Sequence, residues 1–111
     1  MTESTPVPQN LTDQADTLTI ELRQRRWRVI DNNQTNDTRT EMLISPHGLL
    51  TLTVQANSDG VRLALDAPPR ADGSFCYAWH AVAPALPADV IEAVALAAEN
   101  RDRRYFREMI R

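Results

Sequence analysis

The amino-acid sequence predicts an α+β fold: a two-layer sandwich with a five-stranded antiparallel meander flanked by an N-terminal and a C-terminal helix (α-β-β-β-β-β-α). Three turn signals, Pro46-His47-Gly48, Asp59-Gly60 and Asp72-Gly73, each separate two runs of alternating apolar and polar residues. Such turns between alternating runs are typical of β-hairpins. Apolar residues recur at helical spacing before the first run and after the last one.

The first helix is predicted to begin after Asn10, which can cap its N-terminus, and to end near Arg25 or Arg26. Its apolar positions repeat at i, i+4, i+7 and i+11, which places them on one face of about four turns. They are Leu11, Ala15, Leu18 and Leu22.

Five strands are predicted between the helices, one sheet face being apolar and the other rich in Thr, Arg and Glu. The predicted ranges are 27–31, 38–45, 49–56, 61–66 and 75–83. On the fifth strand, Phe75, Tyr77 and Trp79 are expected to face the core. Both helices should cover the apolar face.

The second helix is predicted to start at Pro87, a residue favoured in a first helical turn. No Gly or Pro follows Pro87, so the helix either runs to the end of the sequence or breaks near Asn100 and restarts. Its apolar stripe consists of Ile91, Val94, Ala95 and Ala98.

The length of 111 residues predicts a single α+β domain over residues 11–111, preceded by a disordered tail over residues 1–10. No apolar run reaches the roughly 18 residues that a membrane helix needs. The N-terminus also lacks the basic and apolar regions of a signal peptide. We therefore expect a cytoplasmic protein that does not bind membranes.

The sequence predicts no metal site, no cofactor and no catalytic residues. With one Cys and two His, a four-ligand zinc site cannot close within one chain, although a site shared between subunits is left open. Cys76 and His80 share a strand face but stand about 13 Å apart, too far for a thiolate–imidazole pair. His47 lies near Ser45 without an evident third partner, and it is interpreted as a turn residue.

Arginines provide the strongest functional signal. All twelve basic residues are Arg, although the formal net charge is −3. Because an odd-numbered meander returns the chain to its starting direction, both helices should end at the same pole of the domain. The predicted partner-binding residues there are Arg23, Arg25, Arg26, Arg28, Arg101, Arg103, Arg104 and Arg107. They indicate a docking surface for phosphate or an acidic protein, or they complement the helix dipoles.

A second stripe lies in the last part of the sequence. Tyr105, Phe106, Met109 and Ile110 fall at helical spacing beyond the point where the meander needs covering. They either close the edge of the core or form a dimer or partner interface, with arginines as its rim.

Three segments resemble a functionally uncharacterised actinomycete domain carried by plasmid, phage and transfer-associated proteins. The segments are Ser45-Pro46-His47-Gly48, Ala78-Trp79-His80-Ala81 with Pro84, and Pro87-Ala88-Asp89-Val90-Ile91-Glu92-Ala93. The resemblance covers about residues 44–98, and the family usually has Asp where His47 stands. It implies a mobile-element or accessory setting and a non-catalytic role.

Together these patterns predict a non-enzymatic binding protein, a homodimer, whose arginine-rich pole meets an acidic protein partner or a second copy. A DNA- or RNA-binding accessory protein using the same arginines is the first alternative, and a small secretion-type chaperone is the second. A small enzyme is a further alternative.

Overall fold

A computed structural model describes residues 6–67 and 76–109 of this chain, with side chains for all of these except 76–78 and 108–109. The described elements have the predicted order and confirm the α+β class. They are α1 (Gln9–Gln24), β1 (Arg28–Gln34), β2 (Thr38–Ile44), β3 (Thr51–Asn57), β4 (Gly60–Ala67), β5 (Cys76–Ala83) and α2 (Ala88–Met109).

The five strands form one antiparallel sheet in the order β1-β2-β3-β4-β5. Leu52 and Val54 of β3 lie opposite Leu65 and Leu63 of β4, and all four are buried. These residues form one core with the apolar stripes of both helices. The alternate β3 positions are only partly buried, so one sheet face is covered and the other faces solvent.

The two helices run in the same direction. Near the beginning of each helix, the backbone N–H of Leu86 donates to Oε1 of Gln14. Eleven residues later on α1, Arg25 contacts Glu99 on α2 at 3.3 Å. The end of α1 therefore lies beside the C-terminal half of α2, as the odd strand count predicts.

The N-terminus of α1 differs from the prediction. The helix begins at Gln9, so Asn10 lies within it and is not its cap. Pro8 holds the N-cap position without a side-chain cap hydrogen bond, and its carbonyl accepts from the backbone N–H groups of Leu11 and Thr12. Pro8 has a φ of −57° and a ψ of 138°, the non-helical backbone that an N-cap residue adopts.

Strand β1 also differs. Trp27 lies outside the strand and is only 2% exposed, and β1 continues to Gln34 through the segment expected to be a loop. Every β1 residue is exposed, including Val29. The strand is at the sheet edge, and the helices do not cover it.

Strand β2 reverses the expected division between the two faces. Opposite Ala56 and Val54 of the apolar β3 face lie Arg39 and Glu41. Arg39 pairs with Asp16 of α1 and with Glu41 at 2.9 Å. Burial acts to lower the pKa of Arg39, but Glu41 and Asp16 outweigh it and raise that pKa above its ordinary value. A charged network thus attaches α1 to the margin of the sheet.

The last strand and helix follow the prediction where it can be compared. Trp79 is partly buried against the core, whereas Phe75 and the side chain of Tyr77 lie outside the described residues. Helix α2 continues through Asn100 without a break and reaches Met109. Among the described residues, no helix combines the length and the apolar character needed to cross a membrane.

Candidate functional site

The end of α1 is a Schellman motif with an arginine in the position that glycine usually takes. The backbone N–H of Trp27 donates to the carbonyl of Leu22 at 3.0 Å, and that of Arg26 donates to the carbonyl of Arg23 at 3.1 Å. Arg26 is the single non-glycine residue of the described chain with positive φ, at 73°. This left-handed conformation costs an L-residue about 1–2 kcal/mol. The strained backbone therefore belongs to Arg26, a residue whose side chain is exposed.

Two open cavities flank this turn, and Arg26 lines both of them. The first, named the dyad cavity, has a volume of about 390 Å³. It is lined by Gln24, Arg25, Arg26, Pro46, His47, Glu99, Asp102 and Arg103. The second, named the arginine cavity, has a volume of about 790 Å³. It is lined by Thr19, Arg23, Arg26, Trp27, Arg28, Val29, Asn32 and Glu41.

In the dyad cavity, two arginines are held by carboxylates. Arg25 contacts Glu21 and Glu99, each at 3.3 Å, and Arg103 contacts Glu99 at 3.2 Å. The Glu99 side chain is 18% exposed and bridges the end of α1 to the middle of α2. The Arg25–Glu99 pair joins the two helices, whereas Arg25–Glu21 and Arg103–Glu99 are local i, i+4 pairs.

The turn between β2 and β3 contains His47 and is held by hydrogen bonds to Ser45. The buried hydroxyl of Ser45 accepts hydrogen bonds from the backbone N–H groups of Leu49 at 3.2 Å and Leu50 at 3.0 Å. Gly48 has a φ of 73°, and its N–H donates to the Ser45 carbonyl. His47 lies in this turn, as predicted, and Gly48 takes the left-handed backbone angle.

His47 forms a dyad with Asp102. Its Nδ1 lies 2.6 Å from Oδ2 of Asp102, a carboxylate that is 2% exposed. An ionised carboxylate only accepts, so Nδ1 carries the hydrogen and Nε2 is the ring nitrogen left for other partners. The ring of Phe106 stacks on the imidazole with centroids 4.0 Å apart and planes inclined by 10°. Asp102 and Phe106 together fix the position and rotation of the His47 ring.

The His47–Asp102 dyad is absent from the sequence-based predictions. The two residues are 55 positions apart, and Asp102 stands between arginines in a segment read as a charged surface. The available signal was its spacing on α2: Asp102 follows Ile91, Ala95 and Ala98 at i+11, i+7 and i+4. That spacing continues the buried stripe of the helix.

Three arginines line the arginine cavity. Among the described side chains, Arg23, Arg26 and Arg28 form no ion pair with a carboxylate. Glu41 is the sole acidic residue lining this cavity, and it already accepts from Thr19 and Arg39. The indole N–H of Trp27, which also lines the cavity, is buried and has no hydrogen-bond partner among the described residues.

Of the remaining predicted residues, those that the structure describes lie on α2. Arg101 is partly buried, whereas Arg104 and Arg107 are exposed. Tyr105 is partly buried against the core and Phe106 stacks on His47. Both aromatic rings therefore have contacts within the chain, while Ile110 and the side chain of Met109 lie outside the described residues.

Ser45 and His80 are two other residues whose side chains are capable of chemistry. Ser45 is 1% exposed and its oxygen already accepts two hydrogen bonds, so it is not placed to attack a substrate. His80 is exposed and lies 3.3 Å from Asp66 on the uncovered face of the sheet. Within the described part of the chain, no three His, Cys, Asp or Glu residues converge as they would around a metal ion.

Comparison of the sequence with protein-family models and with curated proteins, and of the fold with solved structures, finds no match. The functional assignment therefore depends on the geometry of the two cavities.

Proposed function

We propose that this protein is a non-enzymatic binding protein that recognises an acidic segment of a partner protein at the arginine cavity. The observation that carries the proposal is the group of three arginines, Arg23, Arg26 and Arg28, lining one cavity without carboxylate partners among the described side chains. Planar guanidinium groups match carboxylates in bidentate geometry.

The helix dipole does not account for all three arginines. Arg23 lies in the last turn of α1, where a cation is favourable. Arg28, however, lies beyond the helix in β1, and the dipole effect does not extend past the last turn. Arg26 adopts a strained backbone conformation that glycine would accept more easily. A role in binding explains the positions of Arg26 and Arg28 more directly.

An acidic protein segment suits this surface better than a long nucleic acid. The chain has a net charge of −3, so the surface outside the cavity repels a polyanion. A nucleic-acid duplex would contact an extended part of that surface. A short acidic segment needs only the cavity. A second copy of this chain, which has 15 acidic residues, is one source of such a segment. Sedimentation of the free protein over a range of concentrations tests that self-association.

The proposal is tested with a fluorescein-labelled decaglutamate peptide and anisotropy titration. Arg23→Glu and Arg28→Glu should each weaken binding at least about 10-fold, because each replaces a charge-assisted contact with repulsion. Arg62→Glu is the matched control: Arg62 is an exposed strand arginine on β4, outside both cavities, and it undergoes the same charge change. We expect that variant to bind within about 2-fold of the unmodified protein.

A labelled DNA duplex in the same assay tests the main alternative, which is nucleic-acid binding. Binding of the duplex, but not the peptide, with a log–log salt slope near −0.9 per phosphate contacted would replace the proposal with nucleic-acid binding. Equal losses in the Arg28→Glu and Arg62→Glu variants would also contradict it, since the effect would then follow net charge alone.

A further inference from the structure

We infer that the dyad cavity binds a phosphate monoester carried by the partner, and that His47 makes this binding dependent on pH. The inference rests on the proposed function and extends it across Arg26 into the neighbouring cavity. It names a tetrahedral oxyanion as the group that is recognised beside the acidic segment.

Donors reach the dyad cavity from three separate elements. Arg26 follows α1, His47 lies in the turn between β2 and β3, and Arg103 lies on α2. A phosphate group presents three terminal oxygens in different directions, whereas a carboxylate presents two oxygens in one plane. Donors arranged around the cavity from three elements therefore fit a tetrahedral anion better than a planar one.

The imidazole of His47 is held in place before any ligand binds. Asp102 occupies Nδ1 at 2.6 Å, and Phe106 covers one face of the ring. The His47 side chain is 35% exposed, so the fixed ring still reaches solvent. A donor that is already oriented loses little conformational entropy on binding. When the ring carries both protons, Nε2–H is the donor available to an oxyanion.

The charges around the cavity explain why the protonation of His47 matters. Three arginines face two carboxylates here, and Arg26 alone among these arginines has no carboxylate partner within the described side chains. The charged groups around His47 are Arg25 and Arg26 from the end of α1, and Glu99, Asp102 and Arg103 from α2. The net charge of these groups is about +1 with a neutral imidazole, and a second proton on the ring raises it to about +2. Binding is therefore compared between about pH 8 and about pH 5.5, over which histidine side chains are able to change charge.

Sulfate is the first probe because it remains a dianion throughout this range, so that any pH dependence comes from the protein. Its binding to the full chain is followed by NMR through the ring signals of the two histidines. Sulfate should shift the His47 signals and leave those of His80, which lies in β5, unchanged. Affinity should rise about 10-fold from about pH 8 to about pH 5.5, because an imidazolium adds one charge-assisted hydrogen bond.

Two histidine variants show which imidazole causes the pH dependence of sulfate binding. His47→Gln should remove the pH dependence, whereas His80→Gln should retain it. The inference would be overturned by an unchanged pH dependence in His47→Gln, or by sulfate shifts at His80 and not at His47. The second readout uses the unmodified chain, so it stands even if His47→Gln fails to fold.

A phosphopeptide tests whether the partner carries the oxyanion. A decaglutamate peptide with a central phosphoserine should bind about 10-fold more tightly than the plain peptide at about pH 6. If sulfate binds but the phosphoserine does not increase peptide affinity, the inference that the partner carries the oxyanion is overturned. If decaglutamate does not bind at all but sulfate still shifts His47, the proposed function fails while the oxyanion site itself stands.

Discussion

The two cavities that share Arg26 contain similar side chains in different states. In the dyad cavity, Arg25 and Arg103 share Glu99, and His47 is bonded to a buried carboxylate. In the arginine cavity, the three guanidinium groups have no carboxylate partner among the described residues. The comparison shows that charged residues at one end of a small domain can be divided between ion pairs within the chain and positions without a carboxylate partner among the described residues.

This difference has consequences for stability. Removing one partner of a buried polar contact leaves the other group without its hydrogen bond, which costs about 1–3 kcal/mol. An exposed, unpaired arginine adds little to the folded state, so its replacement should change the free energy of unfolding only slightly. Substitutions in the two cavities should therefore differ in their effect on stability.

Replacement of the buried carboxylate should have the largest effect. Asp102→Ala removes the partner of the His47 ring at a site only 2% exposed and leaves a small void. We expect the free energy of unfolding to fall by about 1–3 kcal/mol, the cost of removing one partner of a buried hydrogen bond, measured by urea denaturation. Asp102→Asn retains the shape and an acceptor oxygen and should cost less. A loss below about 0.5 kcal/mol for Asp102→Ala would show that the dyad does not stabilise the fold.

The shared arginine should show an effect of opposite sign. Arg26→Gly relieves the positive φ of 73° and should raise the free energy of unfolding by about 1 kcal/mol. Arg28→Gly makes the same chemical change within β1 and should lower it by about 0.5–1 kcal/mol. Arg26→Gly should also weaken decaglutamate binding. Lower stability in the Arg26→Gly variant would mean that the arginine side chain, and not its backbone, dominates at this turn.

The unpaired arginines should show the smallest effect. The double substitution Arg23→Gln and Arg28→Gln removes two charges from the arginine cavity while retaining most of the side-chain volume. We expect a change within about 0.5 kcal/mol in the free energy of unfolding, as for other surface positions. Thermal and urea denaturation should agree on this value. A loss as large as that of Asp102→Ala would remove the distinction between the two cavities.

Much of the fold was predictable because it follows from local patterns. The alternation along β3 places Leu52, Val54 and Ala56 on the covered face. The turn at Asn57–Gly60 needs a glycine, because a Cβ at Gly60 would lie 2.3 Å from the carbonyl oxygen of Ala83. The places where prediction failed are Pro8, Trp27 and the reversed face of β2, where tertiary contacts outweigh local preference.

The sequence by itself determined the order of the elements, the direction of both helices and the concentration of arginines near their ends. Periodicity and turn chemistry act over a few residues, and an odd-numbered meander then sets the common direction of the helices. Only the tertiary structure decided which charges are paired. His47 meets Asp102, and Arg25 meets Glu99, across 55 and 74 positions of sequence. Such pairs depend on how α2 packs beside α1 and over the turn between β2 and β3, because electrostatic and hydrogen-bonding partners are chosen by distance in space.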